Sequence, residues 1–252
     1  MSPPTDHVDR GDRIDFWVIP ADQPAPVVAR LRLLLDRTEL DRAAAATDPV
    51  RADRFSTVHG VVRLLTAERL GIAPAELVWS YGPHGKPEPV TAADDRLQLS
   101  YSASGTLAVL ALAEGRRVGA DVEELRDERV ATRLAGRYFP RSDQRFVCDG
   151  TPSAVSDRFT RLWCRREAVV KVYGGRLAQG LGLPLAGTGP LLLPTATPLD
   201  QGPCRVQDVP VPGAFRAAVA AEGAADLAVR HRLWTAPASL LEPHQPLQHS
   251  ST

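Results

Sequence analysis

Lysine is almost missing from this chain: of 30 basic residues only Lys86 and Lys171 are lysines, and the rest are arginine. An ammonium is a compact point charge that can give up a proton, whereas a guanidinium is a planar fork that keeps its charge. The two exceptions are therefore either residual surface lysines or places where an ammonium is needed. Cysteine is scarce as well. Cys148, Cys164 and Cys204 are odd in number and lack C-x-x-C spacing, which excludes a readable disulfide framework or zinc site and fits a reducing cytoplasm. Net charge is absent: 30 acidic residues balance the 30 basic ones, which excludes general affinity for nucleic acid but leaves a local basic patch open. Residues 1–12 have neither a basic start nor an apolar stretch, so no signal peptide is read there. No run of about 18 apolar residues occurs that could span a membrane. What is present is 252 residues with 44% apolar content, enough for one good core or two small ones.

The ends, 1–12 and 236–252, are polar and without periodicity, and read as loose tails. Between them, Ile14, Phe16 and Val18 alternate as on a strand, and Val28, Leu31, Leu34 and Leu35 recur at helical spacing. A second helix is expected from about Thr57 to Leu70, with Gly71 to stop it. A strand over 77–81, a Gly-Pro-His-Gly-Lys-Pro loop, and strands over 97–102, 106–113 and 117–123 follow. Helices are expected at 127–138 and 154–173. The Pro- and Gly-rich segment 180–213 holds a short strand at 191–193, and strands at 215–221 and 227–234 close the chain. Helices followed by strands in each half, without a detectable repeat, predict a mixed α+β fold.

Four short pieces carry candidate chemistry. Asp121 and Glu123 lie two apart on a predicted strand, so both carboxylates share a face while Val118, Ala120 and Val122 take the other. Two adjacent carboxylates repel unless a cation joins them, and an all-oxygen pair suits Mg2+ with positions left open for phosphates; a solvated strand end is the plainer alternative. Trp163, Glu167 and Lys171 form one helical stripe, either a surface Glu–Lys pair beside a core tryptophan or a metal ligand with a phosphate clamp. Gly85-Lys86-Pro87 sets a lysine between a flexible and a rigid residue, as an ordinary turn or as a loop offering backbone to a flat ring and an ammonium to phosphate. The bend Ser100-Tyr101-Ser102-Ala103-Ser104-Gly105 is rich in hydroxyls, common in turns and also able to bond phosphate oxygens.

The order of these pieces is more specific than any one of them. G-K-P, a serine bend before a strand, G-x-D-x-E, then W-x-x-[KR]-E-A-x-x-K resembles the 4′-phosphopantetheinyl transferases, over residues 14–234. The length is similar to the long, surfactin-type class. The resemblance implies two similar α/β subdomains forming a pseudodimer, here 13–113 and 114–235, the second carrying the metal motifs, in a monomer. It implies a cytoplasmic holo-[acyl-carrier-protein] synthase type of enzyme that moves the phosphopantetheine arm of coenzyme A to a serine of an acyl or peptidyl carrier protein, as in polyketide or nonribosomal peptide synthesis, with no nucleic-acid or membrane partner. By motif, Asp121, Glu123 and Glu167 resemble the Mg2+ ligands (Mn2+ being the alternative cation). Glu167 is also the candidate base, and Lys171 resembles the lysine at the pyrophosphate. His84, Gly85, Lys86 and Pro87 resemble the strip at adenine, Ser102, Ala103 and Ser104 the phosphate bend, and Arg51 a 3′-phosphate contact. Ala103 stands where the family bend often carries a histidine, and His59 is a substitute from nearby. A carrier-binding module that has lost catalysis is the alternative reading. The arginines 126, 129, 133, 137 and 141 are candidates for meeting an acidic carrier, or form a solvated helix face.

Overall fold

Strand β1 (Arg13–Pro20) points Ile14, Phe16 and Val18 to one side and leads into three helices, α1 (Ala25–Arg32), α2 (Arg37–Ala44) and α3 (Pro49–Leu70). In this computed structural model, which describes residues 13–90, 96–194 and 202–241, a 3-10 turn at Pro74–Glu76 then opens the hairpin β2 (Trp79–Tyr81) and β3 (Pro87–Pro89). Strands β4 (Leu97–Ser104), β5 (Leu107–Glu114) and β6 (Val118–Glu124) follow. The second run of helices is α4 (Glu128–Tyr138), α5 (Arg141–Cys148), α6 (Pro152–Val172) and the single turn α7 (Leu177–Gly180). Strands β7 (Leu191–Leu193), β8 (Cys204–Val209), β9 (Phe215–Glu222) and β10 (Ala228–Leu233) and a final turn α8 (Ala238–Leu241) complete the described chain.

The strands form two four-stranded sheets, β10-β1-β5-β4 and β6-β9-β8-β7, and the fold is α+β. The last strand, β10, crosses back to pair in parallel with β1. Ile14, Phe16, Val18 and Val109 from the first sheet meet Val118, Ala120, Val122 and Val219 from the second in a core between the sheets. The outer face of the first sheet is covered by Val27, Leu31, Val61 and Leu65 of α1 and α3. The outer face of the second is covered by Ala131, Val147, Phe159 and Ala168 of α4, α5 and α6.

Caps explain several boundaries. Asp48 accepts from the Val50 N–H with Pro49 in the first turn, so α3 starts eight residues before the expected Thr57. It stops at Gly71, whose φ of 68° lies in the left-handed region that favours glycine. Thr151 caps α6 in the same way. Two helices that periodicity does not reveal, α2 and α5, share one cause: each buries an acid, Glu39 or Asp143, on its inner face and so breaks the apolar stripe. Strand β8 also escapes, because its Val206 and Val209 lie within the Pro- and Gly-rich segment 180–213. The expected tails lie outside the described residues except at 236–241. There Leu240 packs on the first-half core and the Arg30 guanidinium donates to the Ser239 carbonyl at 2.7 Å, so this part is docked rather than loose.

Candidate active site

Edge strand β4 lies beside edge strand β6, and the junction between the two sheets is made by side chains. Serines at every second position of β4 do the joining. Ser100 Oγ accepts from the Ala120 N–H at 3.0 Å, Ser102 Oγ donates to Asp121 Oδ1 at 2.7 Å, and Ser104 Oγ accepts from the Glu124 N–H and donates to Glu123 Oε2, both at 3.2 Å. The serine run expected to face phosphates is thus the seam between the halves, and Ser100 extends it by the same period-two rule.

On the other side of β6 lies α6. Gly119 makes this packing close: a Cβ there would sit 1.9 Å from the Ala168 carbonyl oxygen and 2.8 Å from the Val172 nitrogen. The contact brings Lys171 of the stripe onto Asp121, while Trp163 packs on Phe139 and Phe159 in the core. Lys171 Nζ donates to Asp121 Oδ1 at 2.7 Å and to Ser102 Oγ at 3.0 Å. Asp121 is 2% exposed, and its Oδ2 is buried without a hydrogen-bond partner. Glu123 is met by Arg126 Nη2 at 2.8 Å. Glu167 lines a cavity of ≈280 Å³ with Lys171, His84, Gly85, Lys86, Pro87, Ser100, Tyr101, Gly174 and Gly175.

The electrostatics follow from this crowding. Burial first, then the Asp121 charge, with Lys171 opposing, pushes the Glu167 carboxyl up to about 7. Burial and then Asp121 also raise Glu123, against Arg126. Burial would lower the Lys171 ammonium, but the charge and hydrogen bond of Asp121 outweigh it and raise it. Burial pushes Lys86 down to about 8.

The sequence-predicted residues do not all converge. His84, Gly85, Lys86, Pro87, Glu167 and Lys171 share the cavity. The Lys86 ammonium donates to the carbonyls of Val118 and Lys171. Arg51 stands exposed in the first turn of α3, 3.8 Å from Asp48 and away from the cavity lining. Ala103 is exposed at the end of β4. His59 is buried, its Nδ1 3.1 Å from Glu39 Oε1 and its ring stacked on Phe55, so it is part of the core. Sequence reasoning missed Tyr101 and the Gly174–Gly175 pair as cavity wall; the two glycines just past the end of the helix that carries Lys171 were the available signal.

Known proteins show the family of the chain. A family model described as the 4′-phosphopantetheinyl transferase superfamily matches residues 117–192. The 4′-phosphopantetheinyl transferase HetI of Nostoc sp. is 30% identical over 188 residues, 73% of this chain and 79% of that protein. This chain belongs to the 4′-phosphopantetheinyl transferase superfamily. Another relative, the 4′-phosphopantetheinyl transferase AcpT of Salmonella typhi, is 32% identical over 145 residues, 58% of this chain and 72% of that protein. The family match begins just before β6 and runs past α6, so it contains both faces of the carboxylate site in this transferase.

A divalent cation is the cofactor usual in this family, and two observations on this transferase fit one. The donor set is all carboxylate oxygen, and the buried Asp121 Oδ2 has no other partner. Among the described residues no three ligating side chains are already gathered for a metal. Lys171 and Ser102 hold the other Asp121 oxygen, and Arg126 and Ser104 hold Glu123, so these contacts have to loosen for all three carboxylates to converge.

Proposed function

We propose that this transferase moves the phosphopantetheine arm of coenzyme A onto a serine of an acyl or peptidyl carrier protein, with Mg2+, releasing 3′,5′-ADP. The observation that carries the reading is the buried Asp121, with one oxygen on Lys171 and the other without a partner, beside a cavity that Glu167 lines. Asp121, Glu123 and Glu167 are the residues that would hold the cation. When bound, it would supply positive charge to the diphosphate oxygens.

The remaining work falls to side chains. Glu167, at the cavity wall, is the group that would accept the proton of the carrier serine as that oxygen attacks the β-phosphorus. The serine O–P bond forms, the bond from that phosphorus to the bridging oxygen breaks, and the electron pair leaves with 3′,5′-ADP. Lys171 lies at the cavity wall to balance the charge that gathers on the leaving group. Gly85 and Pro87 offer backbone to the adenine. Ser102 keeps Asp121 oriented.

The pseudodimer reading, with subdomains 13–113 and 114–235, is supported by the two sheets, each backed by a long helix, and by a seam whose two edge strands come from one chain, which favours a monomer. On α4, Arg129, Arg133 and Arg137 stand exposed at intervals of four, a face suited to an acidic carrier, with Arg126 and Arg141 at its two ends. Three free cysteines support a cytoplasmic setting, and among the described residues no helix is long and apolar enough to cross a membrane. The exposed Ala103 is what favours the alternative, a carrier-binding module without catalysis. Intact-mass measurement of an apo carrier protein with this protein, coenzyme A and Mg2+ separates them. We expect a gain of roughly 340 Da, one phosphopantetheine unit, abolished by EDTA; no gain across several acyl and peptidyl carriers would select the module.

A further inference from the structure

Lys86 Nζ donates to the Val118 carbonyl at 2.9 Å and to the Lys171 carbonyl at 2.8 Å. Three separate elements meet at this one ammonium. The β2–β3 loop supplies the lysine. Val118 opens β6, whose outer side is a sheet edge, so its carbonyl has no strand neighbour there. Lys171 belongs to the last turn of α6, where backbone carbonyls are short of partners and the negative end of the helix dipole favours a cation. The chain repeats this device with guanidinium elsewhere: Arg63 donates to the Leu77 carbonyl, Arg165 to that of Leu185 and Arg166 to that of Leu183. In each case a buried cation ties a helix to a segment that lacks regular hydrogen bonds.

The contact has a consequence for the cavity. Gly85, Lys86 and Pro87 form one wall, and Glu167 and Lys171 another. The Lys86 bridge joins the first wall to the backbone of Lys171 itself, and to the residue before Gly119, three positions ahead of Asp121. We propose that Lys86 is a positioning residue: its ammonium is a strut that fixes the distance between the nucleotide-facing loop and the Asp121–Lys171 pair, and it does not contact a substrate phosphate. The strut crosses between the halves, as the β4 serines do, so it sets the cavity's width where the serines set its register.

The test compares Lys86→Met, which keeps the stem and removes the donors, with the natural chain. Hydrogen exchange on the free full-length protein comes first. Loss of the strut speeds exchange about 10-fold or more at 82–87 and 173–175, whose amides close the loop and the helix end, and leaves β5 unchanged. Steady-state kinetics come second: kcat/KM falls by about 10- to 100-fold, by the same factor for coenzyme A and for its 3′-dephospho form, and the loss is shared between KM and kcat because both walls move. Lys86→Gln, which keeps one donor, gives intermediate values and carries the test if the methionine variant does not fold. Unchanged exchange in the free protein, or a loss that differs between the two nucleotides, overturns the proposal and makes Lys86 a phosphate contact. The proposal rests on the transferase reading only for the choice of nucleotide. Failure of that reading shows as absent turnover in the natural chain, whereas failure of the strut shows in the exchange.

Discussion

In the first half of the molecule, buried Arg63 of α3 reaches Glu39 on the preceding short helix and, beyond the end of its own helix, the Leu77 carbonyl. In the second half, buried Arg166 of α6 reaches Asp143 on the preceding short helix and, beyond its own helix, the Leu183 carbonyl. The strand registers agree with this match. Ile14 pairs with Ala113, one residue before the end of β5, and Val118 pairs with Ala221, one residue before the end of β9. Carried along the strands, Trp17 falls where the second half has Asp121, and Ile19 where it has Glu123. Counted along the helices from the two arginines, Leu64 falls at Glu167 and Glu68 at Lys171. The first half even has its own cavity there, ≈420 Å³, with Trp17, Leu65 and Glu68 in its lining. It is larger than the candidate site but has no carboxylate pair on its strand and no lysine. The matched strand positions therefore carry Trp17 and Ile19 in the first half, beside a cavity lined mostly by charged side chains, and Asp121 and Glu123 in the second, and size alone does not locate the chemistry.

The sharpest way to break the comparison is to change the matched strand positions. Asp121→Asn removes the carboxylate that Lys171 and the cation would share. Transfer should fall by about 10³-fold, with the fold kept but some stability lost because Lys171 gives up a buried partner. Trp17→Ala, at the matched position, should leave kcat within twofold but lower stability by about 2–3 kcal/mol, the cost of emptying a partly buried aromatic site. Turnover by Asp121→Asn close to normal would remove Asp121 from the site, and loss of activity in Trp17→Ala without loss of stability would undo the division of labour.

Gly119 tests how close the acidic half must pack. Its counterpart, Asp15, carries a full side chain, whereas a Cβ at Gly119 meets a backbone oxygen at 1.9 Å. Backbone cannot swing aside as a side chain can, so Gly119→Ala should cost about 3 kcal/mol or more, read as a fall in Tm. An unaltered Tm would mean that α6 can retreat from β6 without penalty.

How much of this was legible depended on where charge lies. The apolar periodicities of β1, α1, β4, β5, α4 and α6 point to the elements that form, because their buried faces are apolar. Helices α2 and α5 escape because the matched acids Glu39 and Asp143 occupy their buried faces, and the arginines that neutralise them are 24 and 23 residues away. The match between the two halves is likewise not visible in sequence, since it lies in strand register and ion pairs. The site's cavity side was readable from G-K-P and from the spacing of Glu167 and Lys171. The direction of the Lys86 ammonium and the location of Arg51 were not, since both depend on tertiary packing that no local spacing encodes.

The first half's buried cluster also makes a pH-dependent contribution. Burial alone would raise the Glu39 carboxyl, but its bonds to His59 and Arg63 outweigh this and hold it below its ordinary 4.5. A carboxyl lowered on folding adds stability that is fully present above the ordinary value and is lost as pH falls from there through the folded value. Glu39→Gln should therefore be less stable at neutral pH by about 3 kcal/mol, because Arg63 loses a buried partner. Its stability should also fall less steeply below pH 4.5 than that of the natural chain. Parallel acid-unfolding curves would show that other carboxylates govern the transition.

The smallest effect belongs to the outer helices. On α1, Arg32 is paired with Asp53 at 3.0 Å and Arg30 donates to the Ser239 carbonyl, whereas on α4 Arg129 and Arg133 are exposed with no ion pair among the described residues. If the unpaired arginines meet an acidic carrier, reversing both to glutamate should raise KM for the carrier about 3- to 10-fold at low salt. The difference should shrink towards physiological ionic strength, because exposed charges are screened within a Debye length of about 8 Å. The KM for coenzyme A should not change, since no residue of α4 lines the cavity. Reversal of Arg32 on the matched face should disturb its own ion pair and leave the carrier KM alone. An equal rise from both faces would show that net charge, and not the α4 surface, draws the carrier in.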